Sequence, residues 1–250
     1  MCGNMSFSKD KDTSVNDLER ILMFTEENKT VRKSVLETYK TLRDIAEDCY
    51  NRTYDFFHPH KEKGLTVYLN HAKNSPLKIN GKSATYVDEN YSIYDKEGKK
   101  FLKSLLGEDG AVEITPEGRI NSYRRMFQSQ PDEVAAERGI VKPGEEVSSS
   151  ELGFKRKVFT RHMYAMAATG RDPQLYVITL SEETGDITVM HDYEIIFSTM
   201  ADEIPERLAK LYLNPTGRLY HERTRTPSYL PKEFRQEFST FNPCAHCTFF

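Results

Sequence analysis

The hydrophobic period of this chain changes near residue 60, and that change limits the folds available to it. Before this point, apolar side chains recur every three or four residues, at Val31, Val35, Tyr39, Leu42 and Ile45. This spacing is typical of an amphipathic helix with one buried face. No Gly or Pro interrupts residues 30–57. Pro59 disfavours helical geometry at His58, so the helix is expected to end there.

A shorter helix is predicted before it, with Ser14 as its N-cap. Its apolar positions are Val15, Leu18, Ile21 and Leu22. The pattern divides the chain into a mobile tail over 1–13, a helical segment over 14–60, an α+β domain over 61–240 and a C-terminal tail over 241–250.

After residue 60, the apolar residues alternate or form short runs bounded by turn residues, as in β-strands. The clearest pair is 175–180 and 187–190, joined by a loop that contains Gly185. A second hairpin is predicted from 84–87 and 91–94. Further strands are predicted at 65–69, 112–114 and 193–197.

The remaining segments carry helix and loop signals. Short helices are predicted over 101–106 and 132–138, the second within a stretch, 131–153, that is mostly loop. Thr199 and Asp202 have the spacing of a capping box, which predicts a later helix ending at Pro215. The predicted class is therefore α+β: N-terminal helices followed by a mostly antiparallel sheet, with a late helix packed on it.

The charge balance and hydropathy exclude several classes of protein. Lys and Arg number 35 and Asp and Glu number 38, which gives a net charge of −3. A weakly acidic chain has no overall attraction for nucleic acid, so a nucleic-acid partner is not expected. No apolar run is long enough to span a bilayer, and residues 1–11 lack a signal-peptide core. A cytoplasmic location is therefore expected.

The last four residues, from Cys247 to Phe250, form a C-a-a-X box, the acceptor pattern for prenyl transfer. Cys244 lies three residues upstream and is a candidate for a second acyl chain. These residues predict a protein lipidated at Cys247 and Cys244 and held at the cytosolic face of a membrane. A C-a-a-X box without a recognisable signalling domain also fits a bacterial effector exported into a host cell, with a host protein as a second partner.

The same cysteines admit a metal interpretation. Cys244 and Cys247 form one C-x-x-C pair, and His58 and His60 offer two imidazoles. Zinc prefers four nitrogen or sulfur ligands in a tetrahedron. Zinc is therefore the candidate cofactor in this second interpretation, with those four residues as ligands.

A third interpretation is a cytosolic enzyme, a transferase or hydrolase, whose site lies between residues 160 and 225. The candidate catalytic residues are His191, His221, Glu222 and Arg223, and His162 follows Thr160 and Arg161 in the same region. A histidine beside a carboxylate suits acid–base chemistry, and arginine binds phosphate or carboxylate bidentately. No glycine-rich phosphate loop is present, which excludes a P-loop GTPase.

Overall fold

The computed structural model of this chain describes residues 11–50, 64–72, 74–80, 84–158, 160–182 and 185–200, together with Glu203, Pro205 and Leu208. These residues form five helices: α1 (Lys11–Thr25), α2 (Lys29–Tyr50), α3 (Lys96–Ser104), α4 (Pro131–Glu137) and α5 (Thr160–Arg171). They also form eight strands: β1 (Leu65–Leu69), β2 (Ile79–Asn80), β3 (Thr85–Tyr86), β4 (Ala111–Ile114), β5 (Ile120–Phe127), β6 (Tyr176–Leu180), β7 (Ile187–His191) and β8 (Glu194–Ser198).

The strands join in one mixed sheet in the order β2-β5-β4-β1-β6-β7-β8, with β3 also beside β5. The pairing of β1 with β4 is parallel. The other strand pairings in the described part of the chain are antiparallel. The predicted α+β class with a mostly antiparallel sheet is confirmed.

Each face of the sheet is covered by helices, because residues alternate between two hydrophobic clusters along each strand. One cluster joins α1 and α2 to the sheet through Leu18, Val35, Leu42, Val67 and Ile178. The other joins α4, α5 and the segment after α4 to the opposite face through Tyr68, Ala135, Phe154, Ala165 and Val177. The predicted helical stripe of α2 is thus the buried face that holds it on the sheet.

Several local predictions differ from the structure. Helix α1 begins at Lys11, so Ser14 lies inside the helix and is not its N-cap. The segments 84–87 and 91–94 do not pair with each other: β3 pairs with β5, and Ser92 bridges to Arg119 just before β5. Strand β5, the partner of β3, is polar and charged over much of its length and shows no clear alternation in sequence.

Other elements correspond to their predictions, although α3 begins at Lys96 and ends at Ser104, so it overlaps only part of the helix predicted over 101–106. The strands at 65–69, 112–114, 175–180, 187–190 and 193–197 correspond to β1, β4, β6, β7 and β8, and the helices near 101–106 and 132–138 correspond to α3 and α4. The helix predicted after Thr199 lies largely outside the described residues. Within the described ranges, no helix combines enough length with enough apolar character to cross a membrane.

Candidate functional site at the start of helix α5

Most of the residues singled out in the sequence lie outside the described part of the chain. These are the catalytic candidates His221, Glu222 and Arg223, the lipidation candidates Cys244 and Cys247, and the remaining zinc candidates His58 and His60. Of the catalytic candidates named above, His191 lies within the described residues. In the described ranges, no group of three or more His, Cys, Asp or Glu residues is arranged to hold a metal ion.

His191 is the last residue of β7 and packs within the protein. Its ring stacks on Tyr176, with 4.0 Å between ring centroids and 5° between planes. Its Nδ1 lies 3.1 Å from the carbonyl oxygen of Leu175, which makes Nδ1 the donor. Burial lowers the pKa of His191, although the Leu175 carbonyl and nearby carboxylates such as Asp192 act in the opposite direction. The histidine is therefore held neutral at pH 7.

The lowered pKa of His191 predicts how the stability of the fold depends on pH. The ordinary pKa of histidine is 6.5, so below that pH the unfolded chain binds a proton that folded His191 resists, and folding stability falls as the pH drops. The variant His191→Phe keeps an aromatic ring against Tyr176. Its unfolding free energy should fall less than that of wild type between pH 7.5 and pH 5.5. Urea unfolding at both pH values measures it. An equal loss in wild type and variant would contradict the prediction.

A buried carboxylate lies at the same end of the sheet. The Asp172 side chain is 1% exposed, and its Oδ2 lies 2.8 Å from His71 Nδ1. The backbone N–H of Ala72 donates to the same oxygen at 2.9 Å, and that of Gln174 donates to Oδ1 at 3.1 Å. Asp172 therefore ties the loop after β1 to the turn between α5 and β6, which is a structural role.

The opposite end of the sheet carries a denser set of charges. We call it the arginine cluster: Arg156, Arg161, Glu182, Asp186 and Glu203. The guanidinium of Arg156 donates from Nη1 to Asp186 Oδ2 at 2.8 Å, and its Nε lies 3.6 Å from Glu203 Oε1. Nη1 of Arg161 lies 3.4 Å from Glu182 Oε1. The cluster thus consists of two ion-paired groups, Arg156 with Asp186 and Glu203, and Arg161 with Glu182, and each group includes a residue of the β6–β7 loop.

Arg161 lies directly against the backbone at the start of β1. A Cβ atom built on Gly64 would stand 2.0 Å from Arg161 Nη1 and 2.9 Å from the carbonyl oxygen of Leu180. Only glycine at position 64 leaves room for the guanidinium in this position. Nη1 is buried and makes no hydrogen bond to any described atom, because Glu182 is placed for an ion pair only.

Two neighbouring elements also lie at the end of the sheet that carries the arginine cluster. The N–H of Gly107 donates to the carbonyl of Gly64 at 3.0 Å, which brings the loop before β4 to the same end of the sheet. In that loop Glu108 accepts a hydrogen bond from Arg124 Nε at 2.7 Å. Helix α5 has no acidic residue in its first turn, so the positive end of its dipole also lies at this corner.

His162, named in the sequence beside Arg161, has a different environment. Its side chain is buried, and its ring meets Phe154 edge-on with 5.8 Å between centroids. The structure therefore places Arg161 among the charges and His162 in the apolar layer beneath α5. The sequence did not single out Arg156, Glu182, Asp186 or Glu203. Glu182 and Asp186 lie in the β6–β7 loop. In the sequence, the polar residues of this loop indicate only a turn between two strands.

Comparison with known proteins adds little. No protein family matches this chain, and no curated protein matches its sequence. A hypothetical membrane spanning protein from Bacillus cereus is 13% identical with a TM-score of 0.39; the match covers 64% of this chain and 61% of that one. A double mutant of DacA from Staphylococcus aureus is 15% identical with a TM-score of 0.40, over 70% of this chain and 92% of that one. Both TM-scores are too low to assign a shared fold.

Proposed function

We propose that this protein binds a phosphate- or carboxylate-bearing ligand at the arginine cluster. The observation that carries the proposal is the guanidinium of Arg161. Its Nη1 is buried against Gly64 and makes no hydrogen bond to a described acceptor, although Glu182 Oε1 lies 3.4 Å away. Buried polar nitrogens are nearly always satisfied, and among the described residues no acceptor satisfies this one, so the proposal assigns that place to an acceptor of the ligand. Such a ligand is also what the predicted transferase or hydrolase would act on.

The guanidinium of Arg161 and the start of α5 are the two features of this corner that suit an anion. Guanidinium groups bind phosphate and carboxylate through pairs of charge-assisted hydrogen bonds. The first turn of α5 presents backbone N–H groups and the positive end of the helix dipole, which stabilise a negative charge. In the described structure Glu182 and Asp186 hold the two arginines by ion pairs. These ion pairs fix the position of both guanidinium groups, so the unbonded Nη1 of Arg161 is held in place for an anion.

The test is phosphate binding to Arg161→Gln. Because hydrogen bonds to charged groups contribute about 1.5–3 kcal/mol each, the variant should bind phosphate at least about tenfold more weakly than wild type. Isothermal titration at low salt measures the affinity. Arg171→Gln is the matched control: Arg171 lies at the other end of α5, pairs with Glu137, and is 26% exposed against 20% for Arg161.

The control separates a local site from a general charge effect. Arg171→Gln should bind phosphate as wild type does. Equal weakening in both variants would show that net charge, and not the arginine cluster, governs binding. Unchanged binding in Arg161→Gln, or no measurable phosphate binding to wild type, would exclude the proposed site.

The second candidate function is attachment to a membrane surface through a lipidated C-terminus. It rests on the sequence observation that Cys247 begins a C-a-a-X box with Cys244 close by. One lipid chain gives only marginal binding, since each buried CH₂ contributes about 0.8 kcal/mol. A second chain on Cys244 makes the attachment stable. The cytosolic face of a host membrane is the location expected for an effector of this kind.

Expression of the tagged chain in eukaryotic cells tests this attachment. Wild type should sediment with membranes, Cys247→Ser should be released completely, and Cys244→Ser should be released in part. The graded result follows from the two-chain argument, because removal of the first lipid also removes the route to the second. Equal distribution of all three forms would exclude the lipid anchor.

A further inference from the structure

A groove lies between the C-terminal part of α1 and the N-terminal part of α2. It has a volume of about 290 Å³. We call it the α1–α2 groove, and its lining residues are Glu19, Leu22, Met23, Lys29, Arg32, Lys33 and Leu36. Three of them are apolar and three are cations, so the groove suits a partner that brings an apolar group and negative charge together.

The apolar part of the groove is open to solvent. Leu22 is 1% exposed and forms its floor, whereas Met23 is 43% exposed. Leu36 is partly buried against the hydrophobic cluster that joins α1 and α2 to the sheet. Methionine adapts its shape to a partner readily. Contact with another apolar side chain removes this surface from water, which is favourable.

Three cations border this apolar surface along one side of α2. Lys29, Arg32 and Lys33 are three or four residues apart, so they project from the same face of the helix. Among the residues that the structure describes, none of the three has a carboxylate within ion-pair distance. Glu19 is the acidic residue of the lining, and Glu26, in the turn between the helices, accepts a backbone N–H. The groove therefore has an excess of positive charge.

The chain itself carries a segment with the complementary pattern. Phe234, Phe238 and Phe241 recur at intervals of four and three residues, which predicts one apolar face of a helix. Glu233 and Glu237 are also four residues apart and adjoin that face. The segment thus combines apolar side chains with a pair of negative charges.

The basic residues of this segment do not cancel the match. Lys232 and Arg235 lie one or two positions from a glutamate in sequence. Residues one or two positions apart on a helix do not face each other, so both cations turn away from the glutamates. Pro231 suits the first turn of such a helix, because that turn needs no N–H at this position.

The segment begins within reach of the groove. Leu208, the last described residue, is 1% exposed and belongs to the hydrophobic cluster that joins α1 and α2 to the sheet. Phe234 follows it by 26 positions, and a chain of that length extends up to about 90 Å. Helix α2 has 22 residues and is about 33 Å long. Because the segment is tethered, a contact too weak to hold separate chains together suffices.

We infer that the α1–α2 groove is an intramolecular docking site for residues 231–241. The phenylalanines cover the apolar floor, and the two glutamates pair with the cations of α2. Lys29 and Lys33 are one helical turn apart, as are Glu233 and Glu237, so the two sets of charges match in spacing. A small anion with a single charge would satisfy one cation only, which is why the groove is assigned to this segment.

Chymotrypsin cleavage of the full chain tests the docking. The protein is made in bacteria, so that no prenyl group is added. Chymotrypsin cuts after phenylalanine, and its rate follows the fraction of molecules in which the segment is released. Cleavage after Phe234 and Phe238, identified by mass spectrometry, should be about tenfold or more faster in Lys29→Glu combined with Lys33→Glu than in wild type, because like charges then face each other.

Exchange of the charges tests the pairing itself. Glu233→Lys combined with Glu237→Lys should also accelerate cleavage. All four substitutions together restore opposite charges in exchanged places, so slow cleavage should return. The fourfold variant has the same tail sequence as the double lysine variant, so any intrinsic difference in cleavage of that sequence cancels between them.

Lys142→Glu combined with Lys155→Glu is the matched control for reversal of two surface charges. Both lysines are exposed and belong to the segment after α4, which packs on the opposite face of the sheet. This variant should be cleaved at the wild-type rate. Equal acceleration in the control and in the groove variant would show that net charge governs cleavage, and the inference would then be wrong.

The remaining outcomes decide between occupants. Equal cleavage of wild type and both double variants would overturn the inference, as would a fourfold variant that stays fast. Protection that increases with protein concentration would assign the groove to the segment of a second copy. Protection that requires phosphatidylserine vesicles would assign it to a membrane surface. Either result would also overturn intramolecular docking, and neither bears on the arginine cluster, since none of the substituted residues belongs to it.

Discussion

Replacement of Asp172 by Asn is expected to lower the free energy of unfolding by about 3 kcal/mol, because the change removes one of two buried oxygens that accept hydrogen bonds and leaves a buried donor without an acceptor. Asp172 is 1% exposed, pairs with His71 at 2.8 Å, and accepts the backbone N–H groups of Ala72 and Gln174. The asparagine amide offers one oxygen in place of two and turns a donor toward groups that are themselves donors. Urea unfolding followed by circular dichroism at pH 7.5 measures the change.

Asp192→Asn is the matched control at the same end of the sheet. Asp192 is 60% exposed and lies 3.5 Å from Arg138. Exposed ion pairs contribute at most about 1 kcal/mol, so this variant should remain close to wild type. Asn also tolerates the left-handed backbone conformation of position 192, whose φ is 47°. Similar destabilisation in both variants would contradict the role assigned to Asp172.

Replacement of Arg156 by Met is expected to lower the free energy of unfolding by about 3–5 kcal/mol, because it leaves the buried carboxylate of Glu203 and the partly buried carboxylate of Asp186 without their cation. Arg156 pairs with Asp186 at 2.8 Å and with Glu203 at 3.6 Å, and the Glu203 side chain is 0% exposed. Methionine fills part of the same space and supplies no charge. Thermal and urea unfolding measure the change.

A double substitution tests the cause of this loss. In Arg156→Met combined with Glu203→Gln, the buried negative charge is removed together with its partner, so part of the lost stability should return. Arg20→Met is the control for loss of a surface cation, since Arg20 is 49% exposed and lies 3.8 Å from Asp17. It should change stability by less than about 1 kcal/mol. Additive effects of the two substitutions at 156 and 203 would show that the two residues do not interact.

The local periods of the sequence predicted a large part of the fold. The sequence correctly predicted helix α2 and strands β1, β6, β7 and β8. Each of these elements buries apolar residues that recur at regular intervals over a short stretch of chain. Strand β5 was missed because its pattern, with Arg124 and Arg125 in the middle, is polar and includes a bulge where Arg124 adopts a φ of 60°. Helix α5 was missed because alanines carry much of its buried face, and they give a weak hydrophobic signal.

The candidate site was predicted less well. His162 and Arg161 are adjacent in sequence, and only the packing of α5 shows that Arg161 faces the charges and His162 the apolar layer. The carboxylates of the arginine cluster come from loops after β6 and after β8. Turn residues and ligand-binding residues have the same composition in such loops, so sequence alone does not separate them.

The sequence by itself determined the α+β class and the antiparallel hairpin of β6 and β7, because both depend on apolar residues that repeat every two or every 3.6 residues along the chain. The tertiary structure decided which strands pair and which polar residues meet. Gly64, Arg161 and Leu180 lie far apart in sequence and come within contact only when β1 and β6 align beneath α5. Strand register likewise brings Thr66, Thr179 and Thr188 into one row, because hydrogen bonds between strands, and not positions along the chain, set which side chains become neighbours.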